Sequence, residues 1–261
     1  MPRKRVVAIE ALAEAGPDEG GFLTLVRRRY RNRYADGTFS RPYLYEHIHR
    51  RGYDAVAIAL YHERDGDLLM AYRQGIRVPV FFRKDLPLTV QDPRGYLFVP
   101  EAVAGSLEPS DRGREGLLAR VVAEVFEEAG FRISPEEVEP LGGGFFPSHG
   151  QSSEKIHLCA VRVDPSRAEA PPGDGSVNEA DAPPVLFRSV RAILLDCAAG
   201  RIEDPKVELL AWRLSIRRGY LPVEGRYALP SEAGHLLEFR SSFMDGGWGG
   251  PPDPVDSGGC V

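Results

Sequence analysis

The stretch Gly113 to Ala129 constrains this chain most. It contains no Gly or Pro after Gly116, and Leu117, Val121 and Val125 recur every fourth residue, which predicts one helix that Gly130 ends. Glu124, Glu127 and Glu128 lie in that helix at spacings of three and four, so they share a face. Crowded carboxylates repel one another, and the usual relief is a divalent cation that prefers oxygen ligands. The plainer alternative is a solvated acidic face. It weakens here because Gly105 and Glu108 precede the helix, Glu115 stands at its start and Glu-Glu-Ala-Gly-Phe closes it.

The flanking segments read as strands and helices in alternation. Phe22 to Tyr34 alternates apolar and charged residues, turns at Ala35-Asp36-Gly37, and continues from Phe39 to Ile48 as a small antiparallel unit. Asp54 to Tyr61 and Asp67 to Arg73 are buried strands joined at Asp65-Gly66, and Val78 to Gly95 is a proline-bearing surface loop. Val138 to Phe146 and Lys155 to Val163 are further strands around the turn-rich Pro147 to Ser153. Asp164 to Pro184 has no apolar period and reads as a mobile loop. Strand signals resume at Val185, and two helices follow, Ser189 to Ala199 and Asp204 to Arg217. The pattern dissolves after Tyr220, and the Gly/Pro-rich Met244 to Val261 is expected to be disordered.

Composition excludes several classes. With 33 basic against 38 acidic residues the formal charge is -5, unlike a dedicated nucleic-acid binder, so no nucleic-acid partner is expected. No apolar run is long enough to span a bilayer, and Met1-Pro2-Arg3-Lys4-Arg5 lacks the apolar core of a signal peptide. The expectation is a cytoplasmic protein without a membrane partner. The three cysteines are too widely spaced for a disulfide framework or a zinc motif. A P-loop is absent, Gly142-Gly143-Gly144 lacks dinucleotide spacing, and Ser148-His149-Gly150 is no nucleophile elbow.

Ala123-Glu124-Val125-Phe126-Glu127-Glu128-Ala129-Gly130-Phe131 resembles the end of a Nudix box, G-x5-E-x7-R-E-U-x-E-E-x-G-U with U aliphatic, and Glu115 stands at the box's first glutamate. Three departures are plain: Ala123 replaces the box arginine, Phe131 replaces the final aliphatic, and nine residues rather than five separate Gly105 from Glu115. Arg120, one turn before Glu124, is the candidate substitute for that arginine, which in the family helps to hold the glutamates. Three further segments are similar to ADP-ribose pyrophosphatases of that superfamily, in the same order: Tyr72-Arg73-Gln74-Gly75-Ile76-Arg77, Phe146 to Leu158, and Gly200-Arg201-Ile202-Glu203-Asp204-Pro205-Lys206.

The resemblance implies an α/β fold, a Nudix α/β/α sandwich with a mixed sheet, spanning residues 51–222. It would be preceded by the N-terminal β unit, residues 1–50, and followed by an extension, residues 223–261. It implies Mg²⁺ or Mn²⁺ held by Glu124, Glu127 and Glu128, with the carbonyl of Ala104 and Glu115 as further candidates; Glu115 could instead partner Arg120. Arg73, Arg77, Glu101 and Glu154 would contact a nucleotide-sugar substrate. Glu179 is expected to be the general base, ranked above Asp181 in the acidic run Asn178-Glu179-Ala180-Asp181. ADP-ribose would be cleaved to AMP and ribose 5-phosphate. Another nucleotide sugar of the GDP-mannose type, a dinucleotide, or a catalytically silent ADP-ribose-binding module are the alternatives. The family likeness also implies a homodimer formed through the N-terminal strands.

Overall fold

The central strand β3, Ala55–Arg64, shows why the fold has layers. Its sequence alternates Ala55, Ala57 and Ala59 with Val56, Ile58 and Leu60, and all six are buried, so both faces are covered. The larger side chains pack with Leu117, Val121 and Val125 of helix α2, Gly113–Ala129. The alanine face packs with Val190 and Ile193 of α3, Val190–Ala198, and with Val207, Leu210 and Leu214 of α4, Pro205–Arg218. Small residues on that side let two helices approach the sheet closely. The computed structural model describes residues 6–10, 12, 21–50, 52–173, 175, 177, 183–232, 234 and 236, and it is an α/β/α sandwich around a mixed sheet.

The main sheet runs β5 (Val99–Glu101), β4 (Asp67–Gly75), β3, β8 (Ile156–Arg162), β7 (Val138–Pro140). β3 and β8 are parallel, and every other pairing is antiparallel. β6, Val103–Ser106, pairs with the first half of β3, whereas β4 pairs with its second half. β9, Leu186–Ser189, pairs with β4. The sheet therefore splits between β4 and β6. The chain leaves β4 at Glu101, opposite Arg73, and joins β3 at Val103, opposite Ile58. α2 lies over this split.

The N-terminal unit is a separate hairpin in which β1, Leu23–Tyr30, pairs antiparallel with β2, Tyr43–Arg50. Its second strand starts at Tyr43 rather than Phe39. Asp36 closes the tip by accepting from the Thr38 amide and hydroxyl, and Pro42 has no N–H to extend the ladder. The register divides the hairpin into two faces. Leu23, Leu25, Leu44 and Ile48 share one, and Tyr30, Tyr43, Tyr45, His47 and His49 share the other.

Four expectations are corrected. The segment from Val78 to Gly95 is not wholly loop, because Pro79 stands in the first turn of a short helix α1, Val78–Phe81, followed by a 3-10 turn, Phe82–Asp85. The strand expected from Val138 to Phe146 stops at Pro140, since Gly142 takes φ 80° and the chain rejoins β8 only at the Phe145–Ile156 bridge. Order persists past Tyr220, where β10, Tyr220–Leu221, pairs with β11, Arg226–Tyr227. The start of the loop expected to be mobile is tied to α2: Glu169 N–H donates to the Gly130 carbonyl at 2.9 Å and Gly173 N–H to the Glu127 carbonyl at 2.9 Å. Met244 to Val261 lies outside the described residues.

Candidate active site

At 100° per residue, Arg120, Glu124, Glu127 and Glu128 occupy an arc of roughly 100° on α2. All four line one cleft of about 660 Å³, which also takes in Ala104, Gly105, Arg77, Glu154, Arg50 and Lys206. Glu124 is 8% exposed and sits against β6 where Gly105 offers no side chain. A Cβ on Gly105 would stand 1.9 Å from the Glu124 carboxyl carbon, so the glycine makes the seat for that carboxylate. Gly75 plays the same part for Glu101, whose Oε1 would be 2.0 Å from a Cβ there.

Glu128 is held at both oxygens. Arg73 donates from Nη1 to Oε1, and the Ala104 N–H donates to Oε2 at 3.0 Å. Arg73 is itself buried, with its Nε 3.6 Å from Glu101 Oε1. Arg77 donates from Nε to Glu101 Oε2 at 2.6 Å, so Glu101 lies between two guanidinium groups. Burial works to lower the Arg77 pKa, but the hydrogen bond and charge of Glu101 outweigh it and hold the group above its ordinary value. Among the described residues Glu127 forms no ion pair.

The expected residues separate into three groups. Glu124, Glu127, Glu128, Ala104, Arg77 and Glu154 line the cleft. Arg73 and Glu101 lie behind it, buried and paired with each other, so neither presents itself to a ligand as expected. Glu115 is exposed on the first turn of α2, nine residues before Glu124 and therefore roughly 180° around the helix. It is not part of the cleft wall, and it is not the partner of Arg120. That guanidinium donates instead to Asp111 at 3.0 Å and lies 3.7 Å from Glu124 Oε1. Burial tends to lower the Arg120 pKa, and Asp111 followed by Glu124 raises it above the usual value. Glu179 and Asp181 lie outside the described residues.

Sequence reasoning gave no role to Arg50, which enters the cleft from the end of β2. Its Nη1 is 3.0 Å from Glu154 Oε1, and its guanidinium lies 5.5 Å from the Phe22 ring. Only the docking of the hairpin brings these groups together, and no local spacing announces it. Lys206, from the segment Gly200 to Lys206, also lines the cleft. Asp204 orders it by capping α4, accepting from the Lys206 amide at 3.0 Å and from Nζ at 2.9 Å, while its second oxygen accepts from the Ala102 amide at 3.0 Å.

No family profile matches the chain, and no curated protein matches it. Among solved structures it is similar to one described as "Crystal structure of ADP compounds hydrolase", with 16% identity and a TM-score of 0.44, covering 80% of this chain and 91% of that one. Oxygen donors dominate the cleft and suit a hard divalent cation, whereas Arg77, Arg50 and Lys206 suit an anionic ligand. Among the described residues no three carboxylate, imidazole or thiol groups converge as a ready-made metal cage. Glu128 is held between Arg73 and the Ala104 amide, and Glu124 is seated against Gly105.

Proposed function

We propose that this protein hydrolyses the diphosphate bond of a nucleoside diphosphate sugar with the help of Mg²⁺ or Mn²⁺, and that ADP-ribose, yielding AMP and ribose 5-phosphate, is its substrate. The observation that supports this reading is the arrangement of Glu124, Glu127 and Glu128 on one helix face beside three cationic side chains in one cleft. A diphosphate needs both: cations to offset the charge of its non-bridging oxygens, and carboxylates to hold a metal against them.

When bound, the divalent ion would supply Lewis acidity toward the phosphate oxygens and lower the pKa of a coordinated water. Glu124, Glu127 and Glu128 would hold it, with the Ala104 carbonyl as a further donor. Arg77 is suited to a phosphate because its Nε is fixed by Glu101 while the side chain remains 57% exposed toward the cleft. Glu154 is steadied by Arg50 and lies where it can accept from a sugar hydroxyl. The Glu179 carboxylate would take the proton from the attacking water, with Asp181 as the alternative base. Glu179 stands six positions after Gly173, which is hydrogen-bonded to the Glu127 carbonyl. An extended chain of that length spans up to about 20 Å.

We also infer a homodimer formed through the N-terminal strands. Leu23, Leu25 and Leu44 are each more than half exposed on one face of the hairpin, where the Arg27–Glu46 ion pair lies between Leu25 and Leu44, and a second copy of the hairpin would cover these leucines. Incubation with ADP-ribose, GDP-mannose and a diadenosine compound, with and without magnesium and followed by product chromatography, tests the reading. AMP and ribose 5-phosphate from ADP-ribose, only with the metal present, is the expected result; binding without turnover would favour the silent module instead.

A further inference from the structure

Resting on the hydrolase reading above, we propose that Arg73 is the positioning residue that replaces the box arginine missing at Ala123, and that it acts on Glu128 from a different element. The arginine of the box motif precedes the first of the clustered glutamates within the same helix. Here that position is an alanine, and the helix supplies only Arg120, whose Nε is taken by Asp111 at 3.0 Å and which reaches Glu124 no closer than 3.7 Å. Glu128 is anchored from outside the helix. Its anchors come from the split in the sheet, Arg73 on β4 and the Ala104 amide on β6, one to each carboxylate oxygen. A carboxylate tied at both oxygens has its plane fixed, while each oxygen keeps a lone pair for a cation.

The surroundings fit a holding function better than a ligand-binding one. The Arg73 side chain is 6% exposed and those of its partners Glu101 and Glu128 are 6% and 4% exposed, so the three form a buried charge cluster that meets the cleft at Glu128. Glu101 in turn is seated by Gly75 and clamped by Arg77. One continuous chain of contacts therefore runs from the cleft wall to the glutamate cluster: Arg77, Glu101, Arg73, Glu128. Arg73 sets the position of Glu128, and Glu101 and Arg77 set the position of Arg73. An arginine suits this task because its planar fork can serve two carboxylates at once, which a lysine ammonium does with less directional control.

The test is Arg73→Lys, which keeps the charge and loses the fork. Titration of the full-length protein with Mn²⁺ in the absence of nucleotide, read by calorimetry, should show at least tenfold weaker binding with the melting temperature little changed. With ADP-ribose and saturating metal, kcat should fall at least tenfold while KM stays within about twofold. Introducing Ala123→Arg into the Arg73→Lys variant should recover part of the Mn²⁺ affinity. If Arg73→Lys leaves Mn²⁺ binding intact and raises KM, the residue contacts substrate and the proposal is wrong; if it lowers only the melting temperature, the residue is merely structural and the proposal is equally wrong. Should Arg73→Lys not fold, Arg73→Gln combined with Glu101→Gln keeps the cluster's charge balanced and takes the same measurements. Failure of the hydrolase reading is separately visible, because the unaltered protein would then neither bind Mn²⁺ nor cleave any nucleotide sugar.

Discussion

Substituting Gly105 by alanine tests whether the Glu124 carboxylate must occupy the place the fold gives it. The added methyl would stand 1.9 Å from the carboxyl carbon, 1.9 Å from Oε1 and 2.3 Å from Cγ of Glu124. Ordinary contact begins near 3.4 Å, so the carboxylate has to retreat by about 1.5 Å. The backbone itself tolerates alanine, since Gly105 is not among the positive-φ glycines, and the group that must yield is the end of a flexible side chain. The fold should therefore survive with a loss of about 1–2 kcal/mol from overpacking, or roughly 2–8 °C in melting temperature. Activity should suffer more. A misplacement of about 1 Å in reacting geometry costs on the order of a hundredfold in rate, and Glu124 would also leave its contact with Arg120. Initial rates of ADP-ribose hydrolysis with magnesium, alongside thermal melts, measure both effects. Gly95→Ala is the control, because nothing lies within 4 Å of a Cβ there. A folded Gly105→Ala variant with unaltered kcat would refute the argument.

Four further outcomes are expected. Glu128→Gln keeps the shape but removes one charge from the cluster, so kcat should fall at least about a hundredfold while the melt stays cooperative; near-normal turnover would remove Glu128 from the metal assignment. Glu179→Gln should reduce kcat strongly with little change in KM; if it stays active while Asp181→Asn does not, the base lies two residues further on, and if both stay active the loop supplies no base. Leu25→Glu together with Leu44→Glu places two carboxylates on the aliphatic face of the hairpin, and sedimentation should then report monomers where the unaltered chain gives dimers; an active monomer of the unaltered protein would contradict the dimer. Removing residues 1–49 should abolish turnover as well as assembly.

The sequence alone determined the elements whose signals are local. Leu117, Val121 and Val125 marked α2 and its buried face, and the spacing of Glu124, Glu127 and Glu128 placed three carboxylates on one side, because helical geometry depends only on residue offsets. The apolar run of β3 and the turn at Asp65-Gly66 were equally legible. Gly105 stood out before the helix and Glu101 as a substrate contact, but their reason was hidden, since the seat one makes for Glu124 and the burial of the other between Arg73 and Arg77 exist only across the split sheet. Arg73 read as a substrate-facing residue because guanidinium groups fit phosphate oxygens and its segment resembles that of the ADP-sugar pyrophosphatases. Only the pairing of β4 with β5 turned it inward against Glu101 and Glu128. Arg50 was invisible for the same reason: its place beside Glu154 depends on the hairpin docking more than a hundred residues away in the chain. Periodicity can report which face of an element is apolar, but which charges meet behind that face is decided by strand register and layer packing, and those are properties of the whole chain.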